Sequence, residues 1–187
     1  MANRAYLYTA NKKINKLRDV SEFPANIPLQ YKILLGVDTK QEKSRIWGNE
    51  SPMAISGNFK SGLKKFIDFY EYLKTQDKID KNILDQYIKK TNDFFEKYPD
   101  KKLDLFFVEL GEIYDLIPEL EIDFMNNDVF NSICAISKDI DEILRERPKN
   151  VFKENGKYLW LDKVIDEPEI LETYWRWINY YSFNESH

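Results

Sequence analysis

Two apolar stripes at helical spacing dominate the middle of the chain and fix much of what it can become. From Ser61, the residues Leu63, Phe66, Ile67, Tyr70 and Leu73 recur at intervals of three and four, with lysines and acids between them. From Asp80, a suitable N-cap, Ile83, Leu84, Tyr87, Ile88, Thr91, Phe94 and Phe95 form a second stripe, which Pro99 stops. This period predicts two amphipathic helices that bury their stripes against one core. Shorter helices are expected over residues 29–35, led in by Pro28 and closed by Gly36, and over residues 40–47. A further helix should start at Asp128, carry Phe130, Ile133, Cys134, Ile140, Ile143 and Leu144, and end before Pro148. The last should begin at Pro168 with Leu171, Tyr174, Trp175 and Ile178 inward.

Strand signals are shorter. Residues 4–9 alternate, with Tyr6 and Tyr8 on one side and Leu7 on the other, and residues 53–56 form a second candidate set off by Gly57. Residues 103–110 (LDLFFVEL) read as a strand buried on both faces, and residues 157–161 as another, carrying Trp160. Several helices with a few separated strands predict an α+β fold, with amphipathic helices packed on a small sheet. No linker, repeat or low-complexity tract divides the 187 residues, so residues 1–187 read as a single domain. No run of 18 apolar residues is present, and the opening MANRAYLYTANKK lacks the apolar stretch of a signal peptide. Both features point to the cytoplasm, with no membrane partner.

The rare residues exclude much chemistry. There is one cysteine, Cys134, and one histidine, His187. An internal disulfide and a zinc site of Cys and His ligands are excluded, and catalysis by a serine or cysteine with histidine would rest on the final residue. Cys134, set among Ile133, Ile136 and Ile140, reads as a small buried core residue. The six glycines form neither GxGxxG nor GxxxxGK[ST], so no glycine loop cradles a phosphate. No cofactor and no metal are expected.

Charge is unevenly spread. The net charge of -4 hides 20 basic and 13 acidic residues before residue 103, against 8 and 19 from there on. Residues 103–137 hold Asp104, Glu109, Glu112, Asp115, Glu119, Glu121, Asp123 and Asp128 without a single Lys or Arg. A merely solvated face normally mixes both signs. Three readings stand: a solvated acidic surface balanced across the fold, a landing site for a basic protein, or a carboxylate site. The landing site would use Glu109, Glu112, Asp115, Glu119, Glu121, Asp123 and Asp128, because a single-sign patch steers association and rejects wrong partners. The carboxylate site would use Glu109, Glu112 and Asp115, whose spacing aligns them on one helical face for acid–base work or for a hard cation. Tyr114 and Phe124 lie inside the acidic stretch, each readable as a contact or as core. Lys60, Lys64, Lys65, Lys74, Lys78 and Lys81 are diluted by Asp68, Glu71, Asp77 and Asp80, so direct nucleic-acid binding is not expected.

The opening residues Met1 to Tyr8, MANRAYLY, resemble the start of a poorly characterised bacterial family that begins MANRSYLY, with Ala5 in place of the serine. The segment IPLQYKILLG from Ile27 to Gly36, the pair Ile46-Trp47, the Gly57 to Phe59 segment before a helix, and the ending Tyr180-Tyr181-Ser182-Phe183 are similar to it too. That family resembles the small cytoplasmic immunity proteins encoded beside polymorphic and contact-dependent toxins. The resemblance implies a protein that binds and neutralises a cognate toxin domain, often a basic nuclease, and performs no catalysis itself.

Overall fold

The computed structural model describes residues 3–48, 51–115, 117–153, 157–172 and 175. Five strands form one antiparallel sheet in the order β2-β1-β5-β4-β3: β1 (Arg4–Ala10), β2 (Leu17–Pro24), β3 (Lys40–Lys43), β4 (Pro52–Asn58) and β5 (Leu105–Glu109). The first two strands form a hairpin and so do β3 and β4. The late strand β5 enters between β1 and β4 and joins the two hairpins. Six helices accompany the sheet among the described residues: α1 (Leu29–Leu35), α2 (Phe59–Leu73), α3 (Lys81–Lys97), α4 (Gly111–Tyr114), α5 (Glu119–Glu146) and α6 (Leu159–Asp166). The fold is α+β, in one domain.

Strand alternation sorts the side chains between two unequal cores. Ala5, Leu7, Val20, Met53, Ile55, Phe106 and Val108 join the apolar stripes of the helices in the large core. Tyr6, Tyr8, Ala10, Leu17, Ala54 and Phe107 point to the other face, where Ile14 and Ile46 from the two hairpin connections pack over them. Tyr6 and Tyr8 thus lie opposite Leu7, as the alternation requires. Phe106 and Phe107 are both fully buried, on opposite faces of β5. The stripes of α2 and α3 are core: Phe66, Phe69, Tyr70, Leu84, Tyr87, Ile88 and Phe95 are all buried. Asp80 caps α3 by accepting the Asn82 N–H at 2.8 Å.

Close backbone contact locks α1 against its neighbours. A Cβ on Gly62 would fall 2.0 Å from the carbonyl oxygen of Leu34, and one on Gly57 would fall 2.4 Å from that of Leu35. Both obstacles are backbone, so neither can rotate away. Gly62→Ala is therefore expected to lower stability by about 2–3 kcal/mol, the upper range for overpacking, and urea unfolding should show this as a lower midpoint. An unchanged midpoint would contradict the close packing of α1 on α2.

Several predicted elements differ. Residues 40–47 are not a helix. Lys40–Lys43 pair with β4, and the Ser44 hydroxyl accepts the Ile46 and Trp47 N–H groups at 3.0 and 2.8 Å, drawing them from any helical ladder. Residues 157–161 are not a strand. Tyr158, Leu161 and Val164 turn inward at helical spacing, and the Trp160 indole N–H donates to Asp139 at 2.8 Å. The helix expected from Asp128 begins nine residues earlier, at Glu119. Strand β2 has no counterpart among the expected elements. Pro168–Leu171 form only a 3₁₀ turn, in which Leu171 is buried. Trp175 packs on Phe94, Phe95 and Phe66, while Tyr174, Ile178, Tyr180 to Phe183 and His187 lie outside the described residues. Cys134 is half-buried, not a full core residue. Among the described residues no helix is long and apolar enough to cross a membrane.

Candidate functional site

The acidic stretch divides into two parts with opposite fates. Glu109, the last residue of β5, is fully buried, and its carboxylate accepts the Arg45 N–H at 2.5 Å. Burial pushes its pKa up to about 7. The Arg45 N–H, the Ser44 hydroxyl and the Ile46 N–H oppose that shift, and so does the positive charge of Arg45. The loop after β3 thus closes over this carboxylate, and Trp47 of the same loop lies against Gly111, where a Cβ would fall 2.0 Å from its ring. Glu112 in α4 is half-buried. It accepts the Arg4 N–H at 3.0 Å and the Tyr6 hydroxyl at 2.7 Å, tying α4 to β1.

The three-carboxylate reading therefore needs correction. Glu109 ends a strand, Glu112 sits in a single helical turn and Asp115 follows that turn, so no helical face aligns them. Among the described residues no group of three or more His, Cys, Asp or Glu is placed to hold a metal ion. A raised carboxylate pKa does mark many active sites. Here it arises from burial under a loop. Two described clefts exist: one of about 340 Å³ between Phe23, Ile27, Leu29 and Ile170, the other of about 490 Å³ between Lys12, Asp38, Glu42, Ser56 and Asn58. Neither is lined by Glu109, Glu112 or Asp115. For the same reason Glu109 and Glu112, expected in a landing site, are committed inside the fold.

The remaining acids face solvent. Asp115 is exposed after α4, and Glu121, Asp123 and Asp128 are exposed on the first turns of α5. Glu119 opens the helix; its side chain lies outside the described residues. Acids at a helix N-terminus are favoured by the macrodipole, which accounts for part of their enrichment here. It does not account for their lack of partners. Elsewhere on the surface Asp68 pairs with Lys64, Asp85 with Lys74 at 2.5 Å, Asp93 with Lys89 at 2.5 Å, Asp141 with Lys65 at 2.7 Å and Glu142 with Lys157 at 2.6 Å, whereas the exposed Asp38, Asp77, Glu96, Asp166, Glu167 and Glu169 make no ion pair among the described residues. Among the described residues, Asp115, Glu121, Asp123 and Asp128 make no ion pair. Asp128 has a nearby cation. Lys32 of α1, whose Nζ donates to the Ser132 hydroxyl at 2.9 Å, has its pKa lowered by burial, an effect the Asp128 charge opposes and that of Lys163 adds to. Of the lysines of α2 and α3, Lys64 and Lys89 pair with acids of their own helix, while Lys65 reaches Asp141 of α5.

A polar clamp fixes the rotation of α5. Asn126 is fully buried in the apolar stripe of the helix. It donates to the Gln41 side-chain carbonyl at 2.8 Å and accepts the Tyr114 hydroxyl at 3.2 Å. The same Gln41 donates to Asn127 Oδ1 at 2.7 Å. Tyr114 is core, and burial raises its pKa. With Asn126 and Ile122 turned inward, the helical period turns Phe124 outward, and its side chain is 73% exposed. Nothing in the spacing of the acids alone marked Gln41, Asn126 or Tyr114 as the mount of this face. The signal was the polar Asn126 at a stripe position.

No curated protein and no solved structure matches this chain. A family model described as a domain of unknown function, DUF7822, matches residues 5–149, a span that takes in the sheet except Arg4, the first four helices and α5. The chain belongs to the DUF7822 family.

Proposed function

We propose that this protein is an immunity protein: it binds a cognate bacterial toxin domain, most simply a basic nuclease, and neutralises it without chemistry of its own. The supporting observation is the one-sided charge of this face. Glu121, Asp123 and Asp128 stand exposed on α5, with Asp115 before it, make no ion pair among the described residues, and lie in a stretch, residues 103–137, that holds no Lys or Arg. Unpaired like charges held on one rigid helix repel one another and gain when a basic surface covers them. A nuclease cleft shaped for phosphate offers such a surface. The partner is therefore a protein, bound in the cytoplasm, with no metal or cofactor required and no direct contact with nucleic acid. The resemblance of the MANRAYLY opening to its family supports the same reading.

The test is protection. Cells that make a cognate toxin domain should survive when they also make this protein. They should die when it carries Glu121→Lys, Asp123→Lys and Asp128→Lys together. Full protection by a normally folded triple variant would remove this surface from the account.

A further inference from the structure

Phe124 is out of place for a chain that buries its aromatic residues so thoroughly. Tyr6, Tyr8, Phe66, Phe69, Tyr70, Phe95, Phe106, Phe107 and Tyr114 are all at most 2% exposed, whereas Phe124 is 73% exposed. Leu159 is the other large apolar side chain exposed to that degree among the described residues, and it stands on a different helix. Phe124 does not serve the fold. It lies on the outer face of α5, and the apolar stripe of that helix runs through Ile122, Ile133, Ile136, Ile140 and Ile143 instead.

Its setting is that of a contact residue. On a helix, residues three and four apart are neighbours, so Glu121 precedes Phe124 on the same face and Asn127 and Asp128 follow it. Glu121, Asn127 and Asp128 are exposed. The ring is thus an apolar knob with polar neighbours at three of its four adjacent helix positions, two of them acids; the fourth is Leu120, whose side chain lies outside the described residues. This partial collar is held rigidly, because the bonds from Gln41 to Asn126 and Asn127 and from Tyr114 to Asn126 set the rotation of this part of the helix. Interfaces concentrate their energy in a few such anchors, usually aromatic, that enter a pocket while surrounding polar contacts exclude water.

We propose that Phe124 is the anchor of the partner interface, and that the partner presents an apolar pocket rimmed by lysine or arginine. This rests on the functional reading above and adds to it the shape and chemistry of the partner's surface. A purely basic patch would satisfy the acids but would leave Phe124 exposed. The apolar ring seats only in a pocket, and the acidic collar selects the sign of that pocket's rim. The anchor and the collar act at different stages. The collar speeds encounter and is screened by salt, while the ring holds the formed complex.

The experiment measures association and dissociation rates for a catalytically inactivated basic nuclease toxin domain whose killing this protein suppresses. It compares wild-type protein with Phe124→Ala, Phe124→Leu and the triple charge reversal. Phe124→Ala should dissociate roughly 10- to 100-fold faster, with its association rate nearly unchanged and the defect persisting at high salt. Phe124→Leu should recover part of the loss. Because the ring contributes little to the core, thermal unfolding of Phe124→Ala should match wild type, so a binding defect is not misfolding. If Phe124→Ala binds within about twofold of wild type while the charge reversals weaken binding, the anchor is wrong and the acidic surface stands. If wild-type protein does not bind the domain at all, the functional reading fails and the anchor with it.

Discussion

Glu109→Gln should make the protein more stable at pH 8 than the wild type by about 3 kcal/mol, and the advantage should vanish near pH 4. Burial raises the Glu109 pKa from 4.5 to about 7 in the folded protein. The folded state therefore holds its proton more tightly than the unfolded chain does. Stability from this group is fully present below pH 4.5, declines as pH rises toward 7, and is absent above that. A shift of this size is worth about 1.4 kcal/mol per pH unit over the window. Gln keeps a carbonyl to accept the Arg45 N–H but carries no charge at any pH, so its stability should not fall across the window. Urea unfolding of both proteins at pH 4, 6 and 8 checks this. Equal pH profiles would show that the fold does not raise the Glu109 pKa. A variant destabilised throughout would show that the ionised carboxylate, held by the loop from Ser44 to Trp47, is a net stabilising group.

Much of the fold could be read from the chain because local pattern and burial agree there. The stripes of α2 and α3 are long and regular, and Asp80 and Pro99 mark the ends of the second. The alternation of Tyr6, Leu7 and Tyr8 foretold which residues face which core. The misreadings occur where distant groups settle local structure. Residues 40–47 carry a helix-compatible pattern, but Gln41 is claimed by Asn126 and Asn127, Glu42 by Ser56, and Arg45 by Glu109. None of these partners is near in sequence. The start of α5 was obscured by an exchange of residue types. A polar Asn126 occupies the buried stripe, and an apolar Phe124 occupies the outer face, so the helical period breaks there.

The candidate site was legible as composition and not as geometry. Eight acids without a base can be counted in residues 103–137. Which of them reach solvent depends on β5 entering the middle of the sheet. That placement buries Glu109 beneath the β3–β4 connection and draws Glu112 to the Tyr6 hydroxyl. The surviving face is smaller than the stretch suggests, and its exposed acids on α5 are Glu121, Asp123 and Asp128.

Reversing those three charges changes the local charge by six units and inverts the sign of the face. For the partner, an attractive field becomes a repulsive one. The association rate should fall by roughly 10- to 100-fold at low salt, because electrostatic steering of encounter commonly spans such factors. The variant should still fold, since all three side chains are exposed and make no ion pair among the described residues, at a cost of about 0.3–1 kcal/mol for each charge reversed near the helix N-terminus.

The salt dependence of that association rate is the most direct test, measured for wild type and triple variant with the inactivated toxin domain. Around 0.15 M salt the screening length is about 8 Å, so steering by an exposed face fades through this range. The wild-type rate should drop steeply between 0.02 and 0.5 M salt, values that span roughly 20 to 4 Å of screening. The triple variant should be slow at low salt and rise as its repulsion is screened, so that the two rates converge at high salt. Parallel salt curves for the two proteins would contradict the account, because the acidic face of α5 would then play no part in bringing the partner in.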